Sequence, residues 1–469
     1  MSTSHSREEV WNAYYVFSLL PHDPKIPEAL SSIPVPHLRR ICRLLASGPE
    51  PRTRIQFLRL LSVSSALHRE GGQVRLWQWN ALINLAGQGW RRTRLENFTT
   101  AIGLYGDMVH GKAPGTMFFS VDNDALEARE EEGAREDRTG PRARRIKPDI
   151  VTHSMLLDIA ARTGSQQFMA QAAGMLEQSG LRPNVVSHTS MLGYFTRKRD
   201  LAGVRATLLK MRQQGIELNV VALNACIWAY AYNGRMDIAE GIYRVMRHRV
   251  YGEEREESLD AVIEYLEQRE SIVISSRIVP DKITYHTLMQ GYAYHGDLVR
   301  CLRVFSEMLS TPNLEAAANR YGRRPREPYT ATVSAFRSIF LGFSRHARSP
   351  LPTTPVSPQL ARLPRYQVYP TLDPGAWSLE NFDQLFDSFL ELPESVRVQE
   401  HLMWWVVMGC GRVSGNDAAK MVSVIERMER RYGKVRGTRL TELCADIYRA
   451  GCGDGDGGDT LNNTSDGAK

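Results

Sequence analysis

Apolar residues along this chain recur three and four positions apart, in runs that come in pairs separated by short polar breaks. Met191, Leu192 and Tyr194 form one apolar stretch before the break Arg197-Lys198-Arg199-Asp200. Val204, Leu208, Leu209 and Met211 then form a second stripe that stops at Gln214-Gly215. The plan repeats downstream, where Asn233-Gly234 is followed by Ile238, Ala239, Ile242, Tyr243 and Met246, and His295-Gly296-Asp297 by Leu302, Phe305 and Met308. This spacing puts the apolar side chains on one helical face, and the Gly and Asn residues are helix stops, so each pair predicts a helical hairpin. One hairpin alone leaves its apolar stripe in water, whereas stacked neighbours bury it. The pattern therefore predicts an all-α fold, an α-solenoid of helix–turn–helix repeats with charged insertions.

The period is regular where the insertions are absent. Three turn tripeptides, Lys147-Pro148-Asp149, Arg182-Pro183-Asn184 and Val279-Pro280-Asp281, precede similar helix openings, and Glu217-Leu218-Asn219 fills the same place without a proline. The openings are Ile150-Val151-Thr152-His153-Ser154, Val185-Val186-Ser187-His188-Thr189, Val220-Val221-Ala222-Leu223-Asn224 and Lys282-Ile283-Thr284-Tyr285-His286. The units 150–184 and 185–219 are each 35 residues long. A period of this size marks a solenoid of supersecondary units, each of which needs its neighbours to close its core.

A 35-residue hairpin with this opening, a Gly turn in the middle, a Met late in the second helix and a terminal Pro-Asp resembles the pentatricopeptide repeat, and the irregular, insertion-rich units resemble fungal mitochondrial members. The tetratricopeptide repeat has 34 residues and a Trp-Leu-Gly-Tyr pattern in its first helix, neither of which fits. The resemblance implies a concave surface that reads single-stranded RNA at about one base per repeat. It further implies that the fifth and last residues of a unit meet the Watson–Crick edge of a base, while second residues of neighbouring units pack on the base faces. The pairs so implied are Asn80 with Asp149, Ser154 with Asn184, Thr189 with Asn219 and Asn224 with Asp281, and His286 is the fifth residue of the next unit. The implied stacking residues are Val151, Val186, Val221 and Ile283, with Trp77 in the corresponding place of the first unit. By the family's preference, Asn with Asp reads U and Ser or Thr with Asn reads A, which gives 5′-UAAU-3′. Taken one at a time, Asn and Asp after a turn are also ordinary N-caps.

On this register the chain divides into an N-terminal helical region 1–75 and a first repeat 76–149 with an insertion at about 111–146. Repeats 150–184 and 185–219 follow, then repeat 220–281 with an insertion at about 251–276, and repeat 282–316, whose end blurs near Asn313–Ala316. A degenerate repeat at 328–348, with Arg337 in its fifth place, precedes a Pro-rich linker at 349–375. The remainder is a repeat-like helical region at 376–450, with helices expected at Trp377–Leu392, His401–Cys410 and Asp417–Tyr432, and a Gly/Asp tail at 451–469. Glu127–Asp137, rich in Glu and Arg, and the tail lack the apolar content to fold and are expected to be disordered.

Composition narrows the chemistry. The formal charge is +7, a mild bias toward polyanionic partners. The basic runs Arg142/Arg144/Arg145, Arg197-Lys198-Arg199 and Arg323/Arg324/Arg326 are candidates for phosphate contact. The longest clean apolar run, Leu402–Cys410, is too short for a membrane span. Six cysteines are scattered without a CxxC pair, which argues against a zinc site or a disulfide framework and for a reducing compartment. No phosphate-binding glycine loop, nucleophile elbow, HExxH or deaminase signature occurs, so no catalytic residue, metal ligand or cofactor is expected and the chain is expected to be a binder, not an enzyme. His286 and His295 lack a convergent Cys or carboxylate set.

The resemblance implies a mitochondrial setting, although residues 1–30 pair only Arg7 and Lys25 with four acids, unlike an Arg-rich presequence. The expected function is sequence-selective binding of mitochondrial mRNA or rRNA, in processing, stability, splicing, translation or small-subunit rRNA maturation. The alternatives are a component or assembly factor of the mitochondrial small ribosomal subunit, and a protein-binding scaffold using Trp404-Trp405 and the Pro-rich linker.

Overall fold

The computed structural model describes residues 6–19, 33–47, 54–89, 93–118, 145–251, 257–311, 328–348, 373–393, 396–434 and 437–452. Among these the regular elements are all helical, in two compact units, 1–218 and 219–469. No helix of the described residues is long and apolar enough to cross a membrane. Glu127–Asp137, most of the Pro-rich linker and the tail beyond Cys452 lie outside the described residues.

The first unit begins with α1 (Arg7–Leu19), α2 (Val35–Ala46) and α3 (Arg54–Arg69). Three hairpins follow: α4 (Leu76–Ala86) with α5 (Leu95–His110), α6 (Ile150–Thr163) with α7 (Gln166–Gln178), and α8 (Val185–Lys198) with α9 (Leu201–Gln213). The first helices of these hairpins pack in a row, α4 on α6 and α6 on α8. One apolar cluster runs through the unit, with Leu60, Leu82, Phe98, Leu104, Leu157 and Ala172 inside it. The mid-repeat breaks end the first helices in the left-handed region, at Gly164 (φ 71°) and at Arg199 (φ 57°), where a non-glycine residue takes the turn.

The second unit carries α10 (Val220–Tyr232), α11 (Met236–Tyr251), α12 (Glu257–Arg269), α13 (Lys282–His295), α14 (Leu298–Ser310) and α15 (Val333–His346). After a 3-10 turn at Pro374–Trp377 come α16 (Leu379–Leu390), α17 (Glu400–Ser414), α18 (Ala418–Tyr432) and α19 (Thr438–Cys452). Here the row of first helices is α10, α13, α15 and α17, each packed on the next. The insertion near 251–276 is a third helix of its repeat. It buries Leu259, Leu266, Ile272 and Ile274 and anchors Glu270, which accepts a 2.6 Å hydrogen bond from the Tyr230 hydroxyl.

The C-terminal region differs from expectation in three details. Trp377 belongs to the 3-10 turn, 1% exposed, and donates its indole N–H to the Gly296 carbonyl at 2.9 Å. There it packs edge-to-face on Phe343, whose ring in turn meets Phe382. Helix α19 is an element not foreseen as separate, and it runs past residue 450 into the supposed tail. Its apolar residues Leu440, Leu443, Cys444 and Ile447 sit at helical spacing and are buried, so the signal was present.

Candidate nucleic-acid interface

The turn residues that precede α6, α8, α10 and α13 cap those helices. Asp149, Asn184, Asn219 and Asp281 have extended backbones and accept the amides of Thr152 (2.8 Å), Ser187 (2.9 Å), Ala222 (2.8 Å) and Thr284 (2.7 Å). A short side-chain oxygen is required there because the first-turn amides have no intrahelical partner. Capping is therefore real at all four positions, and it fixes one oxygen of each side chain.

The same caps meet the fifth residue of the preceding first helix. Asn80 donates to Asp149 Oδ1 at 3.4 Å, Ser154 to Asn184 Oδ1 at 3.3 Å, and Asn224 to Asp281 Oδ1 at 2.9 Å. Three of the pairs read from the sequence are thus in contact. Thr189 turns back on its own helix, donating to the Val185 carbonyl at 2.7 Å, and its sequence partner Asn219 opens the second unit.

The fifth residues are more enclosed than a row of open base contacts suggests. Asn80, Ser154 and Asn224 are 8%, 3% and 6% exposed, wedged between successive first helices, while Asp149, Asn184 and Asp281 are half-buried. What stays open is specific. Among the described residues, Oδ2 of Asp149 and Asp281 and Nδ2 of Asn184 take part in no hydrogen bond. Burial pushes the Asp149 carboxyl up, but the Thr152 amide and hydroxyl and the Asn80 amide pull it further down, so the group is a carboxylate at neutral pH.

His286 has a partner that the sequence did not disclose. Its Nε2 shares a 2.7 Å hydrogen bond with the hydroxyl of Thr332, and Thr332 caps α15 by accepting the Ala335 amide at 3.3 Å. Thr332 stands to α15 as Asp281 stands to α13, so the cap that partners His286 is Thr332. The expected repeat end at Asn313–Ala316 lies outside the described residues. Burial first, then Lys282 and Arg337, push the His286 imidazole down to about 4, and it is neutral at pH 7.

In each unit, exposed aliphatic side chains stand beside these pairs. Val151, Val186, Val221 and Ile283 are 43–59% exposed although each sits in the first turn of an apolar helix, and Trp77 holds the same place in α4 at 38%. These are the second residues of the repeats, one position from the buried third residues Thr152, Ser187, Ala222 and Thr284.

Several sequence candidates are occupied otherwise. Arg197 is exposed, but one guanidinium N–H is committed to the Ala161 carbonyl of the preceding repeat at 3.1 Å. Arg145 and Arg337 are exposed, whereas Arg142, Arg144, Arg323, Arg324 and Arg326 lie outside the described residues. Trp404, in the fifth place of α17, is 8% exposed with the Arg439 guanidinium over its ring at 4.7 Å, which removes it as a docking side chain. His295 is tied to the Ala231 carbonyl. Among the described residues no group of three His, Cys, Asp or Glu side chains is placed to hold a metal ion.

Residues 142–198 and 207–250 match the family model described as the pentatricopeptide repeat domain, and residues 283–310 match the PPR repeat. A pentatricopeptide repeat-containing protein of Arabidopsis thaliana is 22% identical over 170 residues, covering 36% of this chain and 25% of its own length. A chloroplastic one from the same plant is 24% identical over 161 residues, covering 31% of this chain and 20% of its own length. The chain thus spans a quarter or less of these curated relatives. A crystal structure of the pentatricopeptide repeat protein PPR10 in complex with an 18-nt psaJ RNA element is similar at 13% identity and a TM-score of 0.26, covering 97% of this chain and 64% of that one. The structure of PPR10 from maize gives 14% and 0.24, with 95% and 68% covered.

Proposed function

We propose that this chain, which carries pentatricopeptide repeats over residues 142–198, 207–250 and 283–310, binds single-stranded RNA and reads about one base per repeat. The observation that carries this is the recurring pair in which a fifth residue meets the next helix cap beside an exposed aliphatic second residue. The exposed aliphatic side chain recurs at the same place of four first helices, and a base face is a partner of matching size and polarity.

The open groups suit different bases. At the centre of its Watson–Crick edge uracil carries an N–H, which the free carboxylate oxygen of Asp149 or Asp281 accepts. Adenine carries a lone pair there, which suits the open amide N–H of Asn184 and would be repelled by a carboxylate. The Asn80/Asp149 and Asn224/Asp281 pairs then take U and the Ser154/Asn184 pair takes A. With Thr189 and Asn219 taken as a second A pair, the sequence is 5′-UAAU-3′, with His286 and Thr332 facing a fifth base.

The RNA proposed is a mitochondrial mRNA or rRNA, and the role is in its processing, stability, splicing or translation, or in small-subunit maturation. The repeat family is what supports that setting. The protein acts as a binder and contributes no catalytic group.

Recoding tests the reading. Replacing Asn224 by Thr and Asp281 by Asn gives the fourth pair the same chemistry as Thr189 with Asn219. The double variant should prefer UAAA over UAAU, the reverse of the wild type. An unchanged preference in a folded double variant contradicts base reading at these positions.

A further inference from the structure

The amide of Asn224 is held from two sides. Its Nδ2 donates to Asp281 Oδ1 at 2.9 Å, and its Oδ1 accepts the hydroxyl of Thr284, the third residue of the next repeat, at 2.7 Å. The hydroxyl is itself fixed, because its oxygen accepts the Asp281 backbone N–H at 3.1 Å. In the first unit the arrangement is the same: Asn80 donates to Asp149 Oδ1 at 3.4 Å, and Thr152 donates to Asn80 Oδ1 at 2.7 Å. Thr152 and Thr284 are both fully buried, so no water competes for these hydroxyls.

We infer that the third-residue hydroxyls of Thr284 and Thr152 are positioning groups that set which edge of the preceding Asn amide faces a bound base. This rests on the RNA-reading function proposed above. An Asn side chain can turn its amide over with little change of shape, exchanging a donor for an acceptor. The carboxylate only accepts, and each threonine hydroxyl has both the amide oxygen (2.7 Å) and the carboxylate Oδ1 (2.8 Å) within reach of its one proton. Given to the amide oxygen, that proton favours the same orientation as the carboxylate does. In it Oδ1 faces the threonine, and the second Nδ2 hydrogen and the carboxylate Oδ2 are what the pair presents to a base.

The distribution of residue types agrees. The two fifth-place asparagines, Asn80 and Asn224, are each followed by Thr at the next third place. Ala222 and Ala335 occupy the third place after Thr189 and His286, which are not amides. Ser187 follows Ser154 and shares a 2.8 Å hydrogen bond with its hydroxyl, while donating to Asn184 Oδ1 at 3.1 Å. There it holds the Asn184 oxygen inward and leaves the amide N–H open.

The test uses the full-length protein with Thr284→Val, which keeps the shape and removes the hydroxyl, and Thr284→Ser, which restores it. Affinities are measured for UAAU, UAAC, UAAA and UAAG, which vary the fourth base, and for AAAU, CAAU and GAAU, which vary the first. The wild type should favour U at the fourth base by about tenfold, the discrimination of one good pair of hydrogen bonds. Thr284→Val should lower that ratio to about threefold or less, Thr284→Ser should recover most of it, and Thr152→Val should relax only the first base. A purely structural role would weaken all these RNAs alike and leave the ratio unchanged, which would overturn the inference while leaving RNA reading intact. A wild type without preference at the fourth base would overturn the reading itself, and the positioning role with it.

Discussion

Asn224 and Asp281 lie 57 residues apart and are joined by a 2.9 Å hydrogen bond. The equivalent residues of the uninterrupted repeat, Ser154 and Asn184, are 30 apart, and those of the first repeat, Asn80 and Asp149, are 69 apart. Insertions of very different length thus leave the same contact in place. Within each unit the first helices pack on one another, and the helical insertion of the fourth repeat, α12, is tied back to α10 through Glu270 and Tyr230.

Asp281 has two separable jobs, and substitution should divide them. Asp281→Ala removes the cap of α13 and should cost about 1 kcal/mol in urea denaturation. Asp281→Asn keeps a capping oxygen and should stay within about 0.5 kcal/mol of the wild type, since Asn and Asp cap equally well. Both should lose the preference for U at the fourth base. A stable Asp281→Asn variant that still prefers U would contradict the role of the carboxylate.

Val186 is half-exposed, so Val186→Ala should change stability by no more than about 0.5 kcal/mol. RNA affinity should nevertheless fall roughly three- to tenfold, the low end of what one base stack contributes. Equal affinity of the two proteins in a fluorescence titration would remove the second residues from the interface.

The hairpins, the register and three of the paired contacts could be read from the chain because two unbroken 35-residue units set the period. The partner of His286 could not, since residues 312–327 interrupt the period before Thr332. The enclosure of Trp404 was equally hidden. Adjacent tryptophans on a helix point to different sides, and only the packing of α17 and the position of Arg439 decide which is covered. The third-residue hydroxyls close capping boxes on their own helices, and their second contact crosses to a helix 60 or more residues away, which local spacing does not disclose.

Gly342 of α15 faces the ring of Trp377, and a Cβ there would collide with it. The ring has no room to yield, being buried and hydrogen-bonded to Gly296. Gly342→Ala should therefore destabilise the second unit by about 1–2 kcal/mol, because overpacking outweighs the helix-propensity gain of about 1 kcal/mol. Thermal unfolding checks this, and an unchanged or raised midpoint would contradict it.

Asp107 is fully buried and accepts the amides of Gly115 (2.8 Å) and Met117 (3.2 Å). Burial outweighs these bonds and pushes its carboxyl up to about 6. The folded chain then holds a proton that the unfolded chain, near 3.8, has released, so this group's contribution falls as pH rises from about 4 to 6 and is level above. Relative to Asp107→Asn, the wild type should lose at most about 3 kcal/mol across that window. A difference between the two proteins that does not vary with pH would contradict the assignment.

The most direct measurement is the affinity of the full-length protein for UAAU, its permutations and a poly-C control at two salt concentrations. The account predicts a preference for UAAU of about tenfold or more that persists at the higher salt, since phosphate contacts weaken with salt while base contacts keep their order. Equal binding to every RNA, lost as salt rises, would contradict it and leave only a basic surface gripping phosphate. No binding at all would assign the helical rows to a protein partner instead.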